Sequence, residues 1–252
     1  MSKAIGRIEI LPDSVALAHH VAEWMTQAAL AAHGSFRISL SGGSTPKTLY
    51  GLLASDEFRR RFPWPRVSWY WGDERFVPYD HPDSNYRMTR EAMLAKAPVP
   101  SENIHPIPTD GTPEDAARRY ERTLQESYGA ATLDPRRPLF DVTLLGLGPD
   151  GHTASLLPGD SALNERKRWV IAVSHGRPEV RITMTYPVIE SSRRVAFLVA
   201  GEEKAEIFGA IRTGNSRVPA ALVRPVGELF WFVDQAAAGT AKVPGRKTAW
   251  TP

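Results

Sequence analysis

Three short stretches of this 252-residue chain gather the groups that acid–base and anion-binding chemistry need. Leu40-Ser41-Gly42-Gly43-Ser44-Thr45-Pro46-Lys47-Thr48 combines glycines and hydroxyls with a Lys-Thr pair. Gly42 and Gly43 let the backbone approach a ligand, Ser44 and Thr45 bring hydroxyl donors, and Pro46 suits a first helical turn, where its missing N–H would be unpaired anyway. A helix that begins this way favours an anion such as phosphate, through its open N–H groups and a charge–dipole term of roughly 0.3–1 kcal/mol. It is not a nucleotide P-loop. Pro46 stands where that motif needs its last glycine, and no acidic metal-binding strand follows in the usual context.

The second stretch, Gly146-Leu147-Gly148-Pro149-Asp150-Gly151-His152, matches the letters GxGxxG. A dinucleotide fingerprint, however, opens the first βαβ unit and is answered by an acidic residue about 20 residues on. Here the turn lies past mid-chain and runs straight into Pro-Asp-Gly-His. Its use is to set Asp150 and His152 on a tight loop. An imidazole, with an ordinary pKa of about 6.5, can act as a neutral general base, a role that contributes about 10² to 10⁴ in rate. The other histidines, His19, His20, His33, His81, His105 and His175, belong to no recognisable constellation. The third stretch, Trp71-Gly72-Asp73-Glu74-Arg75-Phe76-Val77, ends an apolar strand in paired carboxylates and a cation, which read alone is equally a surface salt-bridge cluster. Arg181, opening RITMT, and Lys204, in the first turn after Gly201, are cations near strand ends that can complete a phosphate site.

The elements that must hold these residues alternate. Strand-like runs occur at 5–11, 36–40, 67–72, 140–148, 169–173, 181–185, 195–201, 221–223 and 229–234. Helical patterns fill the stretch from Asp13 or Ser14 to about Ala32, with Val15, Ala18, Val21, Ala22 and Met25 at helical spacing. Others start near Pro46 and cover 84–96, 113–129 and 202–212, while the Pro-rich stretches 97–108 and 134–138 read as surface loops. Strand–helix alternation with glycine turns at strand ends predicts an α/β fold, a mostly parallel sheet flanked by helices, in one domain spanning 1–252. Ligands of such sheets bind beyond the carboxyl ends of the strands.

Composition bounds the partners. With 42% hydrophobic and 23% charged residues the chain reads as an ordinary globular protein. It has no apolar run of roughly 18 residues and no h-region near its start, so a soluble, unexported, cytoplasmic protein is expected, without a membrane partner. No cysteine is present, which excludes disulfides, thiolate metal sites and cysteine nucleophiles. Lys+Arg of 31 against Asp+Glu of 28 gives +3, too small and dispersed an excess to argue for nucleic acid. A monomer is expected.

In order and separation, SGGSTPKTLY, WGDERFVPYDHPDSNYRM, LLGLGPDGHTASLLPG, RITMTYPVI and GEEK closely resemble the 6-phosphogluconolactonase family from Ser41 through Lys204. The resemblance implies a fold shared with glucosamine-6-phosphate deaminase and ribose-5-phosphate isomerase. It also implies hydrolysis of a sugar-phosphate lactone without metal or other cofactor. On it, His152 is the general base, oriented by either Asp150 or Asp73. Gly42, Gly43, Ser44 and Thr45 form the phosphate loop, with Arg181 and Lys204 as cationic partners. Arg75 binds substrate or stabilises developing charge, and Asp73 alternatively binds sugar hydroxyls. The nearest rival is the deaminase, whose Asp-Gly-His pattern continues to a glutamate at the place held here by Leu157 and has tyrosine at Arg75. A sugar-phosphate sensor without catalysis would have lost the histidine or the phosphate loop, and both are intact.

Overall fold

The computed structural model describes residues 5–174, 178–214 and 216–240; His175 lies outside them. The strands are β1 (Arg7–Leu11), β2 (Phe36–Leu40), β3 (Val67–Trp71), β4 (Asp73–Arg75), β5 (Ile104–His105), β6 (Val142–Gly146), β7 (Val170–Val173), β8 (Arg181–Met184), β9 (Arg194–Val199) and β10 (Glu228–Asp234). The helices are α1 (Ser14–Ala31), α2 (Ser44–Leu53), α3 (Asp56–Arg59), α4 (Asn85–Thr89), α5 (Pro113–Tyr128), α6 (Tyr186–Glu190), α7 (Ala205–Arg212) and α8 (Pro219–Leu222).

Seven strands form one parallel sheet in the order β1-β10-β9-β6-β2-β3-β5. Its central strands are apolar and buried almost throughout, as parallel strands covered on both faces must be. From β2 the chain builds outward through β3 to β5, then returns to lay β6 on the other side of β2. The junction of β2 and β6 is therefore the topological switch point, where the connecting loops part and leave a crevice.

Local chemistry explains the helix starts. Asp13 caps α1, its carboxylate accepting from the N–H groups of Val15 and Ala16. The buried stripe of α1 runs through Leu17, Ala18, Val21, Ala22, Met25 and Ala29. Val15, in the first turn, is 68% exposed, and Leu17 takes the core position instead. Thr112 caps α5, where Pro113 occupies the first turn.

Several expectations need correction. The runs at 169–173 and 181–185 do not join the parallel sheet; β7 and β8 make a separate antiparallel sheet with β4, in the order β4-β8-β7. The 221–223 run is not a strand, since Pro219 starts the helical turn α8 there; three apolar residues are too few to fix a period. The 84–96 helix is α4 followed by a π-helical turn, Arg90–Leu94, and 202–212 is a 3₁₀ turn, Glu202–Lys204, leading into α7. The 97–108 loop contains the short strand β5. Among the described residues no helix is long and apolar enough to cross a membrane.

Candidate active site

A cleft of about 260 Å³ opens at the switch point, and Gly42, Gly43, Ser44, Thr45, Asp73, Arg75, His152, Arg181 and Lys204 all line it. Asp150 stands behind His152. The four central strands deliver all of these but Arg181, which opens β8, from their carboxyl ends: β2 into Ser41–Gly43, β3 through Gly72 into β4, β6 into the Asp150–His152 turn, and β9 into Gly201–Lys204.

Two buried tyrosines pin the first two of these ends. The Tyr50 hydroxyl donates to the Ser41 carbonyl at 2.8 Å and accepts from its N–H at 3.0 Å. Tyr120 does the same for Trp71, at 3.0 and 2.8 Å. Burial pushes both phenols well above the usual tyrosine range, so they stay neutral and serve as donor and acceptor at once.

After Ser41 the chain turns at Gly43, whose φ of 105° lies in the region that glycine alone adopts without strain. Gly43 is the N-cap of α2 and has no side chain with which to cap the open N–H groups of its first turn. They face the cleft end of the helix together with the Ser44 and Thr45 positions, an arrangement suited to an anion.

The turn after β6 holds His152 by a short hydrogen bond: Nδ1 lies 2.5 Å from Asp150 Oδ1, which also accepts from the His152 backbone N–H at 3.1 Å. Burial pushes the Asp150 carboxyl up, but the bonds from His152 outweigh this and hold it below the usual range. An ionised carboxylate only accepts, so Nδ1 is the donor in this bond. The next turn forms a strained corner: Ala154 has φ 47°, closed by Leu156 N–H donating to the Thr153 carbonyl at 2.9 Å.

Asp73 is committed elsewhere. Its Oδ2 accepts from the Ser155 hydroxyl at 2.7 Å, while Asn85 Nδ2 donates to its carbonyl at 3.0 Å and approaches Oδ1 at 3.5 Å. Of the two carboxylates left open by the sequence, Asp150 is the one bonded to the imidazole.

The cations come from two directions. Arg75 and Arg181 are register partners across β4 and β8, so two guanidinium groups share one edge of the cleft. Arg75 donates to the Asp83 carbonyl at 2.6 Å, and its buried Nε has no acceptor among the described residues. Arg181 approaches Glu179 at 3.8 Å. Lys204 is 18% exposed and lies 3.7 Å from Glu203, which also lines the cleft.

Sequence reasoning passed over Asn85, Glu203 and Ser155, and did not separate Glu74 from its neighbours. Ser84-Asn85 reads as a helix start, yet no spacing rule brings Asn85 onto Gly42; Ser155 needed only attention to the corner after His152.

Residues 12–231 match the family model described as glucosamine-6-phosphate isomerases/6-phosphogluconolactonase. A 6-phosphogluconolactonase of Nostoc sp. is 41% identical over 94% of this chain and 98% of its own. The crystal structure of 6-phosphogluconolactonase from Thermotoga maritima superposes with a TM-score of 0.77 at 30% identity, over 90% of this chain and 99% of that one. A monomeric glucosamine-6-phosphate deaminase has the same fold at 20% identity, with a TM-score of 0.78 over 93% and 99%. A chain built on this sheet, matched over nearly its whole length, belongs to the glucosamine-6-phosphate isomerase/6-phosphogluconolactonase family.

Proposed function

We propose that this chain hydrolyses 6-phospho-D-glucono-1,5-lactone to 6-phospho-D-gluconate, the second step of the oxidative pentose phosphate pathway, with His152 as general base. One observation carries the reading: the Asp150–His152 pair opens on the same cleft as the uncapped N-terminus of α2. The phosphate occupies the α2 end, held by backbone N–H groups, Ser44, Thr45, Lys204 and Arg181. That grip at C6 fixes C1 against the imidazole and turns the attack of water into a positioned reaction.

Nε2 of His152 takes a proton from water as its oxygen bonds to C1. Negative charge moves to the carbonyl oxygen, where Arg75 is the cation at hand. Collapse of the tetrahedral intermediate breaks the bond between C1 and the ring oxygen, and the imidazolium returns its proton to that oxygen. Asp150 holds the tautomer and steadies the imidazolium, while Asp73, braced by Ser155 and Asn85, binds sugar hydroxyls. The deaminase reading lacks its glutamate, since Leu157 stands there, buried.

The test is hydrolysis of freshly generated 6-phosphogluconolactone, coupled to 6-phosphogluconate dehydrogenase and read above the spontaneous background. Turnover of the phosphorylated lactone, but not of its unphosphorylated counterpart, is expected. Retained phosphogluconate binding without turnover would replace the reading with a sensor, and turnover of glucosamine-6-phosphate with a deaminase. His152→Ala should lose about 10² to 10⁴ in rate while still binding 6-phosphogluconate; near-normal turnover would remove His152 as the base.

A further inference from the structure

Glu74 takes no part in the hydrolysis as derived, yet it is a carboxylate 1% exposed, between Asp73 and Arg75. Its oxygens collect four donors. Oε1 accepts from the N–H groups of Arg75 and Asn85, both at 2.8 Å. Oε2 accepts from the Tyr86 N–H at 2.8 Å and the Ser84 hydroxyl at 3.2 Å. Three of these donors belong to the start of α4, so the carboxylate gathers the end of that helix onto β4.

Asn85 is the residue this arrangement seats. Its Nδ2 braces Asp73, and its Oδ1 would lie 2.0 Å from a Cβ placed on Gly42, so the carboxamide fills the space a side chain on the phosphate loop would need. One side chain thus separates the loop that opens α2 from the carboxylate of β4.

We infer that Glu74 is a positioning residue: by fixing the first turn of α4 it wedges Asn85 between Gly42 and Asp73 and sets the spacing of the phosphate loop from the sugar-binding carboxylate. The inference rests on the lactonase reading for the substrate, but its central readout, binding of 6-phosphogluconate, needs no turnover. Glu74→Gln keeps the size and loses the match. Backbone N–H groups meet both oxygens, so either orientation of the amide sets its NH₂ against a donor.

The experiment measures calorimetric affinity for 6-phosphogluconate, with kcat and KM on the lactone, in wild type, Glu74→Gln, Asn85→Ala and the double variant, with a thermal melt of each. Each single change should weaken binding about tenfold and raise KM in step, with kcat altered less than about threefold. Because Glu74 acts through Asn85, its substitution in the Asn85→Ala background should cost less than about twofold. Unchanged affinity in a folded Glu74→Gln protein, or single effects that multiply, would overturn the inference. If Glu74→Gln does not fold, Asn85→Ala, which leaves the backbone donors to Glu74 in place, decides alone: unchanged affinity refutes the wedge. Loss of the lactonase reading would show as absent turnover in wild type, independently of these binding ratios.

Discussion

Gly148 is the most direct place to test whether the His152–Asp150 geometry does the chemistry. A Cβ built there meets His152 Nδ1 at 2.0 Å, Cε1 at 2.2 Å and Asp150 Oδ1 at 2.7 Å. Ordinary contact begins at 3.4 Å, so the Gly148→Ala methyl must move the imidazole by about 1.4 Å and Asp150 Oδ1 by about 0.7 Å from the seat they share. A misplacement of about 1 Å costs on the order of 10²-fold in a positioned reaction, so kcat on the phosphorylated lactone should fall by about that factor. The fold should tolerate the change. Gly148 has no positive φ, and Ala at a compatible backbone gains about 0.4–1 kcal/mol from the unfolded state, against the cost of displacing the ring. The assay is the coupled hydrolysis at saturating substrate, beside calorimetric affinity for 6-phosphogluconate and a thermal melt. A folded variant with kcat within about threefold of wild type would show that the imidazole's seat is not what the rate depends on.

Lys204→Ala should weaken 6-phosphogluconate binding by about 10- to 100-fold, the worth of a charge-assisted hydrogen bond, with kcat at saturation less affected; unchanged affinity would place the phosphate's cation elsewhere. Glu74 predicts a pH dependence of stability. Burial pushes its carboxyl up to about 7, against the backbone N–H groups of Asn85, Tyr86 and Arg75, which lower it, and with Asp73 adding to the rise. From about pH 4.5 to 7 the folded chain therefore holds a proton that the unfolded chain has lost, so stability should fall as pH rises through that window, by about 3 kcal/mol in all. Urea unfolding of wild type and Glu74→Gln across it gives the difference profile, and profiles that run parallel would rule Glu74 out as the source.

The parallel core was legible because buried strands of parallel sheets are continuous apolar runs, and FRISL, VSWYWG, FDVTLLGLG and VAFLVAG all became adjacent strands. The glycine turns after them were legible as well, since a switch point needs backbone that approaches the ligand. Pairing was not. RITMT and WVIAV carry the same β-prone composition as the core strands, and nothing in their residues says that they turn back on each other and on Asp73–Arg75. The choice between Asp150 and Asp73 as partner of His152 failed for the same reason. Both are carboxylates at strand ends, and the deciding contacts, Ser155 and Asn85 on Asp73, come from distant segments. Asn85 stayed hidden because what it packs against is a glycine, a residue that announces space without saying what fills it.

The second sheet explains why the fold departs from a plain parallel sheet at this site. Parallel strands deliver turns and helix N-termini, which offer N–H donors but little full charge. The antiparallel strands β4 and β8 add what is missing, bringing Arg75 and Arg181 face to face in register at the cleft. Like charges directly opposite in a sheet repel, so the pair is a cost to folding. Glu179 lies 3.8 Å from Arg181, while Arg75 bonds a neutral carbonyl and keeps a buried Nε with no acceptor among the described residues. On the proposed function, substrate binding brings negative charge beside both guanidinium groups, the phosphate near Arg181 and the carbonyl oxygen near Arg75, and offsets that repulsion. In that reading the cations of the second sheet and the helix N-terminus of the first divide the ligand between them, one end for its phosphate and the other for its carbonyl.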